Sequence, residues 1–165
     1  MRHFSTKTLV LTGVFIALTI IFTHIFAIQT PFIRIDFGFL PIAVYAMILG
    51  PIHCALMAAV ADILGCILLV PGLYFPGFTI SSFFNGLILG FFLHKKNLTL
   101  KKIFLCFFIT FLLIDTILNT LWLSILYNKA ASAFIWGRLI KSIIFLPIHS
   151  FLCYLIYKTM KPYIK

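Results

Sequence analysis

Five stretches of this sequence, roughly 8–28, 52–70, 77–94, 102–127 and 133–157, run for about twenty residues or more with almost no charge. That pattern decides the class of fold, because a helix needs about 20 apolar residues to cross a hydrocarbon layer ~30 Å thick. A sixth run, 37–49 (FGFLPIAVYAMIL), is ended sharply by Gly50-Pro51 and would rise only about 20 Å as a helix. It is expected to start earlier, or to be tilted, broken or helped by its loop. With 63% hydrophobic and 10% charged residues in 165, a water-soluble fold would have no way to hide its apolar surface. The expectation is an all-α integral membrane protein, one transmembrane domain over 1–165 with six helices. The first run follows Arg2 and Lys7 as a signal peptide would, but it is long and has no small-x-small cleavage site, so it is expected to be an uncleaved span.

Six helices put both termini on one side, and lysine and arginine say which. Nine of the thirteen cations (Arg2, Lys7, Lys95, Lys96, Lys101, Lys102, Lys158, Lys161 and Lys165) fall at the termini or between the fourth and fifth helices. By the positive-inside rule these mark the cytoplasmic face. Arg34 and Lys129 lie in outer loops, and Arg138 and Lys141 within the last helix. The net charge of +10 is thus a topology signal in short clusters and forms no basic face for nucleic acid. The segments IQTPFIRIDFGF (28–39) and VPGLYFPGFT (70–79) land on the outer side. Loops rich in Pro, Gly and aromatic residues suit lids and pocket walls, which implies binding from outside.

The chain has three acids, and Asp62 and Asp115 fall near the middles of helices three and five. A carboxylate there normally faces a cavity or a partner. Asp115, Asn119 and Trp122 recur at i, i+4 and i+7 on one face, and Arg138 and Lys141 at i and i+3 on the next helix. Such a lining suits a flat heteroaromatic ligand that carries carboxylates: aromatic rings stack on it, polar groups bond its edge, and cations hold the anion. Two roles stay open for Asp115, lining the pocket or neutralising Arg138 or Lys141. An indole near the interface, as at Trp122, is ordinary in a membrane protein. Phe37, Phe39, Tyr74, Phe75 and Phe78 flank Arg34, Asp36 and a Pro76-Gly77-Phe78-Thr79 turn, which either exposes backbone to a ligand or merely starts a helix. Gly13 and Ala17 form a small-xxx-small step that lets another helix approach closely.

Other chemistry lacks its residues. Cys54, Cys66, Cys106 and Cys153 lie singly in apolar runs without metal-ligand spacing, the five histidines are scattered, and no HExxH, G-x-S-x-G or GxxxxGK[ST] occurs. No catalytic residue, metal or cofactor is expected, and ATP-driven transport would need other subunits.

RIDFGFLPIAVYAMILGP (34–51) resembles the outer-loop and second-helix signature of the substrate-binding (S) components of energy-coupling factor (ECF) vitamin transporters. LYFPGFTISSFFNGLILG (73–90), and NTLWLSILY (119–127) followed by RLIKSIIFLPIH (138–149), resemble more narrowly the folate-specific S component. The resemblance spreads over all six helices. It implies a six-helix bundle in a bacterial cell membrane, not an enzyme, that binds folate from outside and docks on a transmembrane coupling subunit carrying two ATPases. It also implies that Gly13-x-x-x-Ala17 contacts the coupling subunit, with glycine where the family usually has alanine. The implied pocket draws on Arg34 and Phe37 of the first outer loop, Tyr74, Phe75, Gly77, Phe78 and Thr79 of the next outer one, Asn119 and Trp122, and Arg138 and Lys141. The rival readings are an S component for pantothenate, biotin or thiamin, or a small membrane enzyme using intramembrane carboxylates.

Overall fold

A computed structural model describes residues 6–29, 34–69, 74–94, 97–127 and 132–162, with only the backbone for 28–29, 34–35, 132–134 and 136. Arg2, His3, Lys95, Lys96, Lys129 and Lys165, and the side chain of Arg34, lie outside that description. The described residues form six helices, α1 Thr6–Ile25, α2 Phe39–Leu49, α3 Pro51–Leu69, α4 Pro76–Leu93, α5 Leu100–Tyr127 and α6 Ser132–Met160. A two-residue hairpin, β1 Ile28–Gln29 against β2 Arg34–Ile35, joins α1 to α2 with Ile28 opposite Ile35 and Gln29 opposite Arg34.

Five of the helices are long and apolar enough to cross a bilayer, and α2 is not. Of the alternatives open for this short run, an earlier start does not hold, because the hairpin and a turn in which Asp36 Oδ1 accepts from Gly38 N (2.9 Å) occupy that stretch. At 11 residues, or about 16 Å, α2 survives by being enclosed. Phe39, Pro41, Ile42, Ala43, Tyr45, Ala46 and Met47 are buried on all sides of it, as expected of a helix that is apolar all round. It touches α1, α3, α4 and α6.

The turn from α2 into α3 takes one residue. Gly50 has φ 90° and ψ −174°, a conformation that residues with a Cβ rarely adopt. Gly50 N–H closes α2 on Ala46 O (3.2 Å), its carbonyl accepts from Cys54 N (3.1 Å), and the His94 ring at the end of α4 packs against its Cα. Nearby, Leu98 N donates to the Tyr157 hydroxyl (3.3 Å), which ties the α4–α5 link to the end of α6. The exposed lysines Lys101, Lys102, Lys158 and Lys161 lie at this same end, the inner one by the charge rule.

α3 and α4 make the closest helix pair. A Cβ on Gly86 would lie 2.6 Å from Cys54 O, and one on Gly90 would strike Pro51. The two glycines are what allow the backbones to touch, in the manner of small-residue crossings in lipid. Around this seam the core is apolar: Met57, Leu89, Leu93, Ile103, Phe107 and Cys153 are all buried. α1 is peripheral, with only Thr19 of its residues buried.

Candidate functional site

The polar side chains collect at the opposite, outer end, where each links one helix to the next. Thr79, in the first turn of α4, donates to Asp62 Oδ2 on α3 (2.8 Å), and the Tyr74 hydroxyl lies 3.3 Å from the same Thr79 oxygen. Trp122 Nε1 on α5 donates to Ser81 Oγ on α4 (3.1 Å). Arg138 and Lys141 on α6 both reach Asp115 on α5, at 2.9 Å and 3.1 Å. A belt of contacts thus runs α3–α4–α5–α6 across the outer half.

Local winding explains the position of Asp115. Residues Phe111–Leu118 of α5 are π-helical, with Asn119 N–H bonded to Ile114 O. A widened turn of this kind is rare and frequently marks a functional position. Here it turns Asp115 towards α6, and the main-chain carbonyl of Asp115 accepts a second bond from Arg138 Nη1 (2.8 Å). Asn119 Nδ2 approaches Asp115 Oδ1 at 3.4 Å, so the amide and the carboxylate share one face. A second π-helical stretch, Ile21–Ile25, ends α1, and its His24 ring packs on the Cα of Gly65 in α3.

The cluster is secluded. Side-chain exposure is 9% for Arg138, 15% for Asp115 and 16% for Lys141. Ordinary charges leave it one positive unit, two cations against one carboxylate. Uncompensated charge at such depth is costly, which makes the cluster a place where an anion would be stabilised. Two polar atoms of it are buried without a partner among the described residues, Arg138 Nε and Asn119 Oδ1, and so are Thr120 Oγ1 and Ser142 Oγ elsewhere on the same two helices. Orphaned donors and acceptors cost about 1–3 kcal/mol each, and the pair on Arg138 and Asn119 invites a polar ligand.

Aromatic rings close the other side. Phe75 lies 5.9 Å from the Trp122 ring and 5.8 Å from Phe78. Gly77 is buried under that group, where a Cβ would collide with Phe75 and Trp122. A planar molecule between these rings and the α5–α6 cluster would have aromatic surface on one flank and cations on the other.

The structure therefore brings together Tyr74, Phe75, Gly77, Phe78, Thr79, Asn119, Trp122, Arg138 and Lys141 at one end of the bundle. Phe37 is exposed near the hairpin, its carbonyl accepting from Leu40 N (3.0 Å). Arg34 is placed only through its backbone pairing with Gln29. Gly13 and Ala17 sit away from the site on the exposed face of α1, and beyond the local helix backbone nothing among the described residues comes within 4 Å of a Cβ built at Gly13. The two roles left open for Asp115 resolve towards neutralisation, of both cations at once. Reading the sequence missed Ser81, Thr120 and Ser142, small hydroxyls that give no periodic signal in an apolar helix. The His149 ring stacks on Phe39 at 3.7 Å in the layer beneath the site. No group of three metal-ligating side chains converges among the described residues.

A family model described as the S component of an ECF-type riboflavin transporter matches residues 3–161. The folate transporter FolT of Clostridium novyi (strain NT) is 41% identical over 139 residues, covering 84% of this chain and 81% of that protein. FolT of Leuconostoc mesenteroides subsp. mesenteroides is 29% identical over 150 residues, covering 87% and 80%. A crystal structure of FolT bound with folic acid matches with a TM-score of 0.90 at 38% identity, over 94% of this chain and 95% of that one.

Proposed function

From its membership of the ECF-type S-component family, to which this chain belongs, we propose that it captures folate at the outer face of the cell membrane. It passes the vitamin inward when docked on a transmembrane coupling subunit carrying two ATPases. The chain is a multi-pass transporter component and not an enzyme. The observation that carries the ligand is the match, at a TM-score of 0.90 and 38% identity, to FolT bound with folic acid.

Geometry adds a chemical reason to prefer folate over the riboflavin of the family model's description. Folate is a flat pterin with a dicarboxylate tail, whereas riboflavin has no carboxylate. A secluded cluster with one surplus positive charge beside an aromatic wall fits the former, and a neutral ligand would leave that charge buried and unmatched. In this reading Phe75, Phe78 and Trp122 stack on the ring system, while Thr79, Tyr74 and Asn119 bond polar edges. Arg138 and Lys141 hold the anion, and Arg34 and Phe37 close the pocket from the loop. The exposed Gly13-x-x-x-Ala17 step on peripheral α1 is the surface for the coupling subunit, since nothing among the described residues covers it. ATP is spent by the partner subunits.

Titrating the purified chain in detergent with folic acid and, separately, riboflavin tests this. Saturable one-to-one binding of folic acid with none of riboflavin is expected. The reverse preference would transfer the chain to the riboflavin branch of the family.

A further inference from the structure

Asp115 is bound in a manner that commits one side of the Arg138 guanidinium and spares the other. Arg138 gives Nη1 twice, to Asp115 Oδ1 (2.9 Å) and to the Asp115 main-chain oxygen (2.8 Å), and Lys141 Nζ takes Oδ2 (3.1 Å). A carboxylate can also pair with a guanidinium side-on, through Nε and the far Nη. Nε lies on the edge away from Nη1, and it is buried without a partner among the described residues. Asn119, steered by its own contact with Oδ1 (3.4 Å), likewise keeps a buried, unpartnered Oδ1.

We propose that Asp115 is a positioning residue, a fixed internal counter-ion that holds Arg138 and Lys141 so that Arg138 offers its Nε edge to one carboxylate of the ligand. This rests on the folate reading above and sharpens it. Among the described residues the cluster carries a single surplus charge, which one carboxylate neutralises, and a second brought to the same depth would leave an unmatched negative charge. One carboxylate of the dicarboxylate tail is therefore held in the cluster and the other stays in water at the outer mouth. The main-chain bond from Arg138 to the π-turn anchors the arrangement, so it persists when ligand enters.

The test compares four ligands on the intact chain in detergent: folic acid, its two monoamides and its bis-amide. Amidating one carboxylate should weaken binding roughly ten- to hundredfold, as for loss of a charged hydrogen bond, and amidating the other less than about fivefold, as for an exposed pair. The bis-amide should match the weaker monoamide. Equal losses for both monoamides, with the bis-amide lower still, would overturn the one-carboxylate assignment. Asp115→Asn should bring folic acid down to the native chain's bis-amide affinity while leaving bis-amide affinity unchanged, and Asp115→Glu should recover part of the difference. Acid and bis-amide falling together would mean a merely structural role, and tighter folic acid binding would mean that Asp115 competes with ligand; either overturns the proposal. If Asp115→Asn does not elute as folded protein, the monoamide comparison on the native chain decides. A native chain that binds none of the four ligands sinks the folate reading itself, a result distinct from all of these.

Discussion

The inner and outer halves of the bundle solve opposite problems. In the inner half, Gly86 and Gly90 bring α4 onto the backbone of α3, and buried Leu89, Leu93, Ile103 and Phe107 fill the space around them. In the outer half, helices are joined by hydrogen bonds and ion pairs, several polar atoms remain buried without partners, and α5 is unwound to a π-turn at Asp115. Without a hydrophobic driving force between helices in lipid, close packing supplies stability, and the inner half has it. Unpartnered buried atoms also occur away from the outer cluster, at Asn85 Oδ1 and His94 Nδ1, but it is the outer cluster that adds a surplus charge to them. Stability and function thus sit in separate halves of this chain, and substitutions can break that separation.

The largest effect is expected from Gly86→Leu. With Cys54 O only 2.6 Å from the position of a new Cβ, the α3–α4 seam must open, at about 3 kcal/mol or more. Size-exclusion and thermal melting in detergent should show little folded chain; a native-like melt would mean the inner half is not the stabilising one.

Next comes the exposed step on α1, which belongs to neither half. Gly13→Leu with Ala17→Leu should leave folic acid affinity within about twofold, since single surface changes are near neutral, yet abolish folate uptake by cells that express the partner subunits. Retained uptake would place the coupling surface elsewhere.

Within the outer half, Trp122→Phe keeps a ring but removes the bond to Ser81 (3.1 Å). Folate affinity should fall roughly tenfold, with the melting temperature of the ligand-free chain nearly unchanged. A loss of stability as large as that from Gly86→Leu would erase the contrast between the halves. The smallest effect is expected for Tyr45→Phe in the inner half, which deletes a 2.7 Å bond to Thr12. It should lower stability by about 1 kcal/mol and leave ligand affinity alone.

How much of this was legible in the sequence follows the same division. Uncharged runs set the helices to within a few residues, because length against bilayer thickness leaves little freedom. The i, i+4 spacing of Asp115 with Asn119 and the i, i+3 spacing of Arg138 with Lys141 placed the outer cluster, since charge in an apolar run is rare enough to be informative. What periodicity does not carry is the identity of the neighbour across the gap. That Asp115 serves both cations, that Trp122 meets Ser81 and that Gly86 touches Cys54 depend on how helices are rotated about their axes. The π-turn was hidden too, because no residue of Phe111–Leu118 is a helix breaker. α2 was too short to span, and only the structure shows that it is enclosed by neighbours and needs no lipid contact.

Folic acid titration of the native chain beside Arg138→Ala, followed by tryptophan fluorescence or binding heat, tests whether the outer cluster is an anion site for a captured folate. Removing Arg138 leaves Lys141 and Asp115 as a balanced pair, so the variant should still fold, while folic acid binding weakens by about 30-fold or more, as for truncating one partner of a buried charged contact. Equal affinity in the two proteins, or no binding to a well-folded native chain, would contradict it.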